Sequence, residues 1–266
     1  MISSTFEALR SEGRVALIPY VTAGHPDLES TGPLLQELAK SGADIIELGI
    51  PFSDPLADGP TIQRSSFASL ENGTSVGTVL AGLKAFRATS AVPVVIMTYL
   101  NPVLAYGVDR FLTEAADAGA HGLLLTDLPT GADPELEAKV SASPLDLIRL
   151  IAPTTAPERL SEVTRGGSGF AYYISRTGVT GARQDLREAL ADEVQAVRDV
   201  VRLPVAVGFG ISDPEQAAAV AAVAEGVVVG SALISALDEG GIQAGGVFVR
   251  ELRDGIDAVQ RTFPGR

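Results

Sequence analysis

Eight short apolar runs, each followed by a stretch with helical spacing, predict an α/β protein closed into a TIM-type (β/α)8 barrel, with an extra helix before the first strand. Three observations carry this. The apolar runs are near-continuous and do not alternate, which marks parallel strands covered on both faces. The 266 residues show no linker or break in composition, so residues 1–266 form one domain. The alternative, a doubly wound open sheet, would show fewer strands and an early Gly-rich dinucleotide turn, and no such turn is found.

Phe6 and Leu9 give helical spacing over residues 5–11, the extra N-terminal helix. VALIPYV at 15–21 is the first strand, and Leu34, Leu35 and Leu38 mark a helix over 28–41 that Gly42 stops. The second strand spans 44–48. Helices follow over 61–72 and 76–89, and VVIMT at 94–98 is the third strand. After Asn101-Pro102, read as loop, a helix covers 108–118. Further strands fall at 122–126, 145–152, 169–174, 204–208 and 226–229. The helices between and after them fall at 134–141, 157–164, 185–201, 213–221 and 231–237. Gly240-Gly241 and Gly245-Gly246 flank a short hinge before a last helix over 247–262.

Composition narrows the function. Twenty basic against 33 acidic residues give a formal net charge of −13, which disfavours nucleic acid and anionic membranes as partners. An acidic protein can still bind phosphate locally, through backbone N–H groups and helix ends. Cysteine is absent and there are two histidines, so no disulfide, thiol chemistry or Cys- or His-rich metal site is expected. The opening residues have no apolar core and no apolar run reaches ~18 residues, so neither a signal peptide nor a membrane span is expected. A cytoplasmic enzyme is the expectation. Tryptophan is also absent, so the core is built from Val, Leu, Ile and Ala.

One stretch organises the chain: DIIELGIPFSDPLADGPTIQ, residues 44–63. A carboxylate, Glu47, interrupts a buried strand, where it is costly without a reason. Asp58 lies eleven residues on, in the loop, and Pro60 then opens a helix at a position where its missing N–H costs nothing. Read singly, Glu47 fits a structural ion pair and Asp58 a turn. Together, a strand-end acid and a loop acid can converge on one small molecule. At the other end of the chain, Gly208-Phe209-Gly210 follows strand seven and Gly230-Ser231 follows strand eight. Strand six precedes Arg176-Thr177-Gly178-Val179-Thr180-Gly181. Each glycine loop alone fits a turn. In barrel order, the last loops and the start of a helix form a phosphate site.

The run from Glu47 to Pro60 resembles the signature of the tryptophan synthase alpha subunit family, and the resemblance extends from the Phe6 helix to the Ser231 helix. It implies a TIM barrel that cleaves indole-3-glycerol phosphate to indole and glyceraldehyde 3-phosphate by a retro-aldol step. Thr180 and Gly181 match the working positions of a sixth loop that closes over substrate. Gly210, Gly230 and Ser231 match the phosphate cradle, while Tyr172 and Phe209 match the pocket wall. Tyr20 stands where the family often has Phe, Thr126 is more polar than in some relatives, and Glu225 replaces an expected Asp in what reads as a surface turn. Tyr20, Ile62, Leu124 and Ile151 complete the apolar middle of the pocket.

For that reaction Glu47 is the expected general acid–base, its pKa raised by burial among Ile45, Ile46 and Leu48. Asp58, kept ionised, would accept the indole N–H and stabilise the cationic ring. No metal or organic cofactor is required. Lys40, Lys84 and Lys139 all fall in predicted helices, which argues against an imine-forming aldolase. His121 belongs at the barrel bottom, and His25 in the first βα loop has a capping or solvent role.

The resemblance also implies docking to a pyridoxal-phosphate-dependent beta subunit in an α2β2 heterotetramer, with indole passed between subunits and allosteric coupling through Asp54. Pro51, Phe52, Asp54 and Pro55, with Asn101 and Pro129, would form the docking face. Three other readings stay open: a stand-alone lyase that releases indole, a non-catalytic activating barrel, and a phosphosugar epimerase or isomerase sharing only the phosphate end. Intact Glu47 and Asp58 oppose the second, and the loop from Gly49 to Pro60 is not needed by the third.

Overall fold

The computed structural model describes residues 1–175, 184–208 and 210–259. The strands are β1 (Ala16–Thr22), β2 (Ile46–Gly49), β3 (Val94–Thr98), β4 (Gly122–Leu125), β5 (Asp146–Leu147), β6 (Arg149–Ile151), β7 (Ala171–Ile174), β8 (Val205–Gly208) and β9 (Gly226–Val229). All pair in parallel, in the order β5-β4-β3-β2-β1-β9-β8-β7-β6. The two edge pieces are halves of one strand, interrupted at Ile148. The first half pairs with β4 and the second with β7, so the ring closes. The barrel therefore has eight staves, the fifth in two pieces.

The helices are α1 (Ile2–Ser11), α2 (Thr31–Lys40), α3 (Pro60–Glu71), α4 (Val76–Arg87), α5 (Leu100–Tyr106), α6 (Val108–Asp117), α7 (Pro134–Ala142), α8 (Leu160–Val163), α9 (Gln184–Val200), α10 (Pro214–Ala221) and α11 (Ser231–Asp257). Proline at the first turn starts α3, α7 and α10. Asp133 and Asp213 cap the latter two by accepting the N–H of Leu136 at 3.0 Å and of Gln216 at 2.8 Å.

Two apolar layers result. Outward-facing strand residues such as Leu17, Ile46, Leu48 and Val227 pack against the helices. Inward-facing Ile18, Ile45, Val95, Leu124 and Val228 fill the barrel. Helix α1 plugs its N-terminal end with Ile2, Phe6 and Leu9, each buried side chain contributing about 1.5–3 kcal/mol. Ile2 lies over Gly122 and Gly169, where an added Cβ would come within 2.9 and 3.3 Å of it, and the Phe6 and Phe170 rings stand 5.7 Å apart. The sealed bottom leaves the C-terminal ends of the strands as the open end.

Four expectations change. Residues 100–106 form a helix, because Pro102 falls within the first turn of α5, where proline is tolerated; Asn101 is thus helical. The chain bends in α11 at Gly240-Gly241, the latter at φ 66°, but Gly245 and Gly246 are helical and buried. A Cβ on Gly246 would meet the Glu37 side chain of α2 at 2.5 Å, so this pair allows close helix packing and is no hinge. Glu225 is no surface turn: it accepts the Val205 N–H at 3.0 Å and pairs with Arg198 at 2.8 Å, tying β8 to β9. His25 is buried, its Nε2 2.8 Å from Asp238 of α11, so it neither caps nor faces solvent. His121 is at the bottom as expected. Burial, with Arg87 and the N-terminus nearby, pushes its pKa down to about 4.

Candidate active site

Strand parity places Glu47. On β2, Ile46 and Leu48 face the helices, so Glu47 between them faces the barrel interior. It is 2% exposed, and its Oε1 has no hydrogen-bond partner among the described residues. β2 ends at Gly49, and the Tyr20 ring lies over that residue: a Cβ there would sit 2.3 Å from the tyrosine hydroxyl. Gly208 similarly accommodates Tyr172. The two rings thus stand in the barrel mouth on glycine seats.

The loop after β2 turns back through an Asp58 N–H bond to the Pro55 carbonyl, 3.0 Å, before Gly59 and Pro60 start α3. Gln63, one turn into α3, holds the Asp58 carbonyl at 2.9 Å. Asp58 is half-buried beside the Tyr99 hydroxyl.

Glu47 and Asp58 both line one cavity of about 520 Å³. Burial, then the neighbouring Asp58, pushes the Glu47 carboxyl up to about 8. Burial pushes Asp58 up to about 6, opposed by the Tyr99 hydroxyl. At neutral pH one carboxyl therefore holds a proton and the other is mostly ionised. Desolvation also raises the Tyr20 and Tyr172 phenols, keeping both neutral.

Tyr20, Ile62, Leu124 and Tyr172 line the same cavity, as do Gly210, Gly230 and Ser231. No side chain caps the start of α11, so the first amides of that helix stand open beside Ser231. Gly210 has φ 72°, a conformation that favours glycine. Open helix amides beside small residues are the chemistry that suits an anion. Phe209, Thr180 and Gly181 lie outside the described residues.

Ile151 is a correction. It packs in the outer layer, and its neighbour Leu150 lines the cavity instead. Leu150 is the register partner of Tyr172, and one step along a strand reverses the face. Thr126, noted from the sequence only for its polarity, also lines the cavity, and sequence reading missed Met97 and Tyr99. Met97 pairs with Leu124 across β3 and β4, so cross-strand parity would have found it.

On the open end, Phe52 is half-buried, Asp54 is exposed with Ser53 donating to it at 2.6 Å, and Leu56 is 93% exposed. Pro51 and Pro55 are buried in the loop base, while Asn101 and Pro129 are exposed. Among the described residues no His, Asp and Glu side chains gather as a metal cluster, and no helix is long and apolar enough to cross a membrane.

The model of the tryptophan synthase alpha chain family matches residues 6–254. The tryptophan synthase alpha chain of Geotalea uraniireducens is 48% identical over 263 residues, covering 97% of this chain and 98% of that one. That of Synechococcus elongatus is 47% identical over 257 residues, covering 96% and 97%. Among solved structures, tryptophan synthase subunit alpha from Legionella pneumophila superposes with TM-score 0.89 at 38% identity, covering 97% of this chain and 98% of that one. A chain of Mycobacterium tuberculosis tryptophan synthase gives 0.88 at 40% identity, covering 96% and 97%. With a family model across nearly all of its length and relatives near half identical from end to end, this chain is a member of the tryptophan synthase alpha chain family.

Proposed function

We propose that Glu47 and Asp58 divide the work of cleaving indole-3-glycerol phosphate to indole and glyceraldehyde 3-phosphate. The chain is a carbon–carbon lyase, and the observation that carries the division of roles is one cavity holding two carboxyls whose proton affinities differ. Glu47, protonated at neutral pH, delivers its proton to indole C3. The ring nitrogen becomes cationic, and ionised Asp58, accepting its N–H, stabilises that charge. Glu47, now a carboxylate, takes the proton of the side-chain hydroxyl next to C3. The C3–carbon bond then breaks, its electron pair returns to the ring as indole, and the hydroxyl carbon leaves as the aldehyde. The proton count on Glu47 is restored. The phosphate rests on the α11 amides, with Gly210, Gly230 and Ser231.

The partner is a pyridoxal-phosphate-dependent beta subunit, docked on Phe52, Asp54 and Leu56 with Asn101 and Pro129 in an α2β2 assembly. Exposure of a large apolar side chain beside a carboxylate at the mouth of the site supports this.

The test is indole release from indole-3-glycerol phosphate by the purified chain, with and without the beta subunit. Glu47→Gln is expected to lose about 10²–10⁴-fold in turnover and Asp58→Asn about 10²–10³-fold. Wild-type turnover in both variants would overturn the assignment.

A further inference from the structure

We infer that Tyr99 is the positioning residue of this site: one side chain grips the partner-facing loop at both ends and thereby fixes Asp58. The inference rests on the reading of Glu47 and Asp58 as the reacting pair.

Tyr99 stands between β3 and α5 and is 5% exposed. Its ring packs against the Phe52 ring with centroids 5.2 Å apart, and its hydroxyl accepts the Ala57 N–H at 3.0 Å. Between these two holds Ser53, Asp54 and Leu56 are exposed, and Pro55 is buried. The bonds inside the loop, Leu56 N–H to the Asp54 carbonyl at 2.9 Å and Asp58 N–H to the Pro55 carbonyl at 3.0 Å, fold it on itself without fastening it to the barrel. Gln63 holds it from the α3 side, and Tyr99 holds it from β3.

The hydroxyl has one proton. Besides the Ala57 N–H, the hydroxyl meets the Thr126 side chain and the adjacent Asp58 carboxylate, and the proton it gives to Asp58 favours the ionised form. Tyr99 therefore sets both where Asp58 stands and which charge it carries. The ring is rigid, so displacement of Phe52 by a docked protein is passed to Ala57 and Asp58 through a single body.

The experiment uses the full chain carrying Tyr99→Phe, with and without the beta subunit. This change keeps the ring on Phe52 and removes the hydroxyl. Binding of glycerol 3-phosphate is the folding control, because it reads the α11 end. The expected result is unchanged glycerol 3-phosphate binding and a KM within about threefold. Turnover falls about tenfold or more, and the acid limb of kcat/KM moves up by about half to one pH unit. A purely structural role would not move that limb. A variant that binds glycerol 3-phosphate but matches the wild type in turnover and acid limb overturns the inference. Wild-type protein that does not cleave the substrate overturns the underlying reaction instead, so the two failures are distinct. If Tyr99→Phe does not fold, Phe52→Leu takes its place: it is expected to lose activation by the beta subunit, and full activation overturns the inference.

Discussion

Glu47 and Tyr20 are register partners on adjacent parallel strands, so carboxyl and phenol ring enter the barrel side by side, one step above the sealed core of Ile18 and Ile45. The carboxyl is thus walled by an aromatic ring and aliphatic side chains, which is why it retains a proton where an exposed glutamate would not.

The first prediction concerns pH. In the proposed division of roles, cleavage needs Asp58 ionised and Glu47 protonated. Activity should rise as pH increases through about 6, as Asp58 loses its proton, and fall through about 8, as Glu47 does. The profile of kcat/KM is expected to be a bell with these limbs, reported as apparent values of the pair. Asp58→Asn should abolish the acid limb in the residual activity. An alkaline limb that persists in Glu47→Gln would assign it to another group.

A stability cost follows from the same burial. In the folded chain the Glu47 pKa is raised above its ordinary value, so the folded state holds a proton that the unfolded state releases between about pH 4.5 and 8. Stability from this group is full below that window and is lost as pH rises through it. Glu47→Gln removes the penalty. Urea unfolding at pH 9 should find the variant more stable than the wild type by on the order of a few kcal/mol, with the difference shrinking towards pH 5.

How much of this was legible follows from what each residue must satisfy. Glu47 stood out because a carboxylate in an apolar strand violates the burial rule, and Asp58 because it shares that strand's loop. Ile151 and Leu150 were indistinguishable because both faces of a barrel strand are buried. Neighbouring Arg149 is itself buried against Glu137, so polarity does not mark the outside. The interruption at Ile148 likewise leaves no mark in an apolar run. Pro102 misled because the residue that ends helices also begins them. Tyr99 carries no local signal at all: its role arises from Phe52 and Ala57, brought to it by the fold.

The exposed loop makes a prediction about docking. Leu56 contacts little of its own chain, so Leu56→Ser should leave cleavage by the isolated chain within about twofold and fold stability within about 0.5 kcal/mol. Its affinity for the beta subunit, measured by titration of activation, should fall about tenfold. Loss of isolated activity in Leu56→Ser would instead place the side chain in the reaction.

The last prediction tests the glycine seat beneath Tyr20. A methyl group at Gly49 would lie 2.3 Å from the Tyr20 hydroxyl and 2.7 Å from the ring carbon that bears it, so the ring must leave its place. The strand backbone beneath it is paired on both sides and cannot yield: Gly49 is matched with Thr22 on β1 and Met97 on β3. Tyr20 lines the cavity, so a ring displaced into it would take the space proposed for the flat part of the substrate. Gly49→Ala is therefore expected to raise KM about tenfold or more, while the barrel stays folded and glycerol 3-phosphate binds normally. Tyr20→Val should relieve the clash when combined with it. In a double-mutant cycle the pair should lose less than the sum of the single changes. Additive losses would show that Gly49 and Tyr20 act separately.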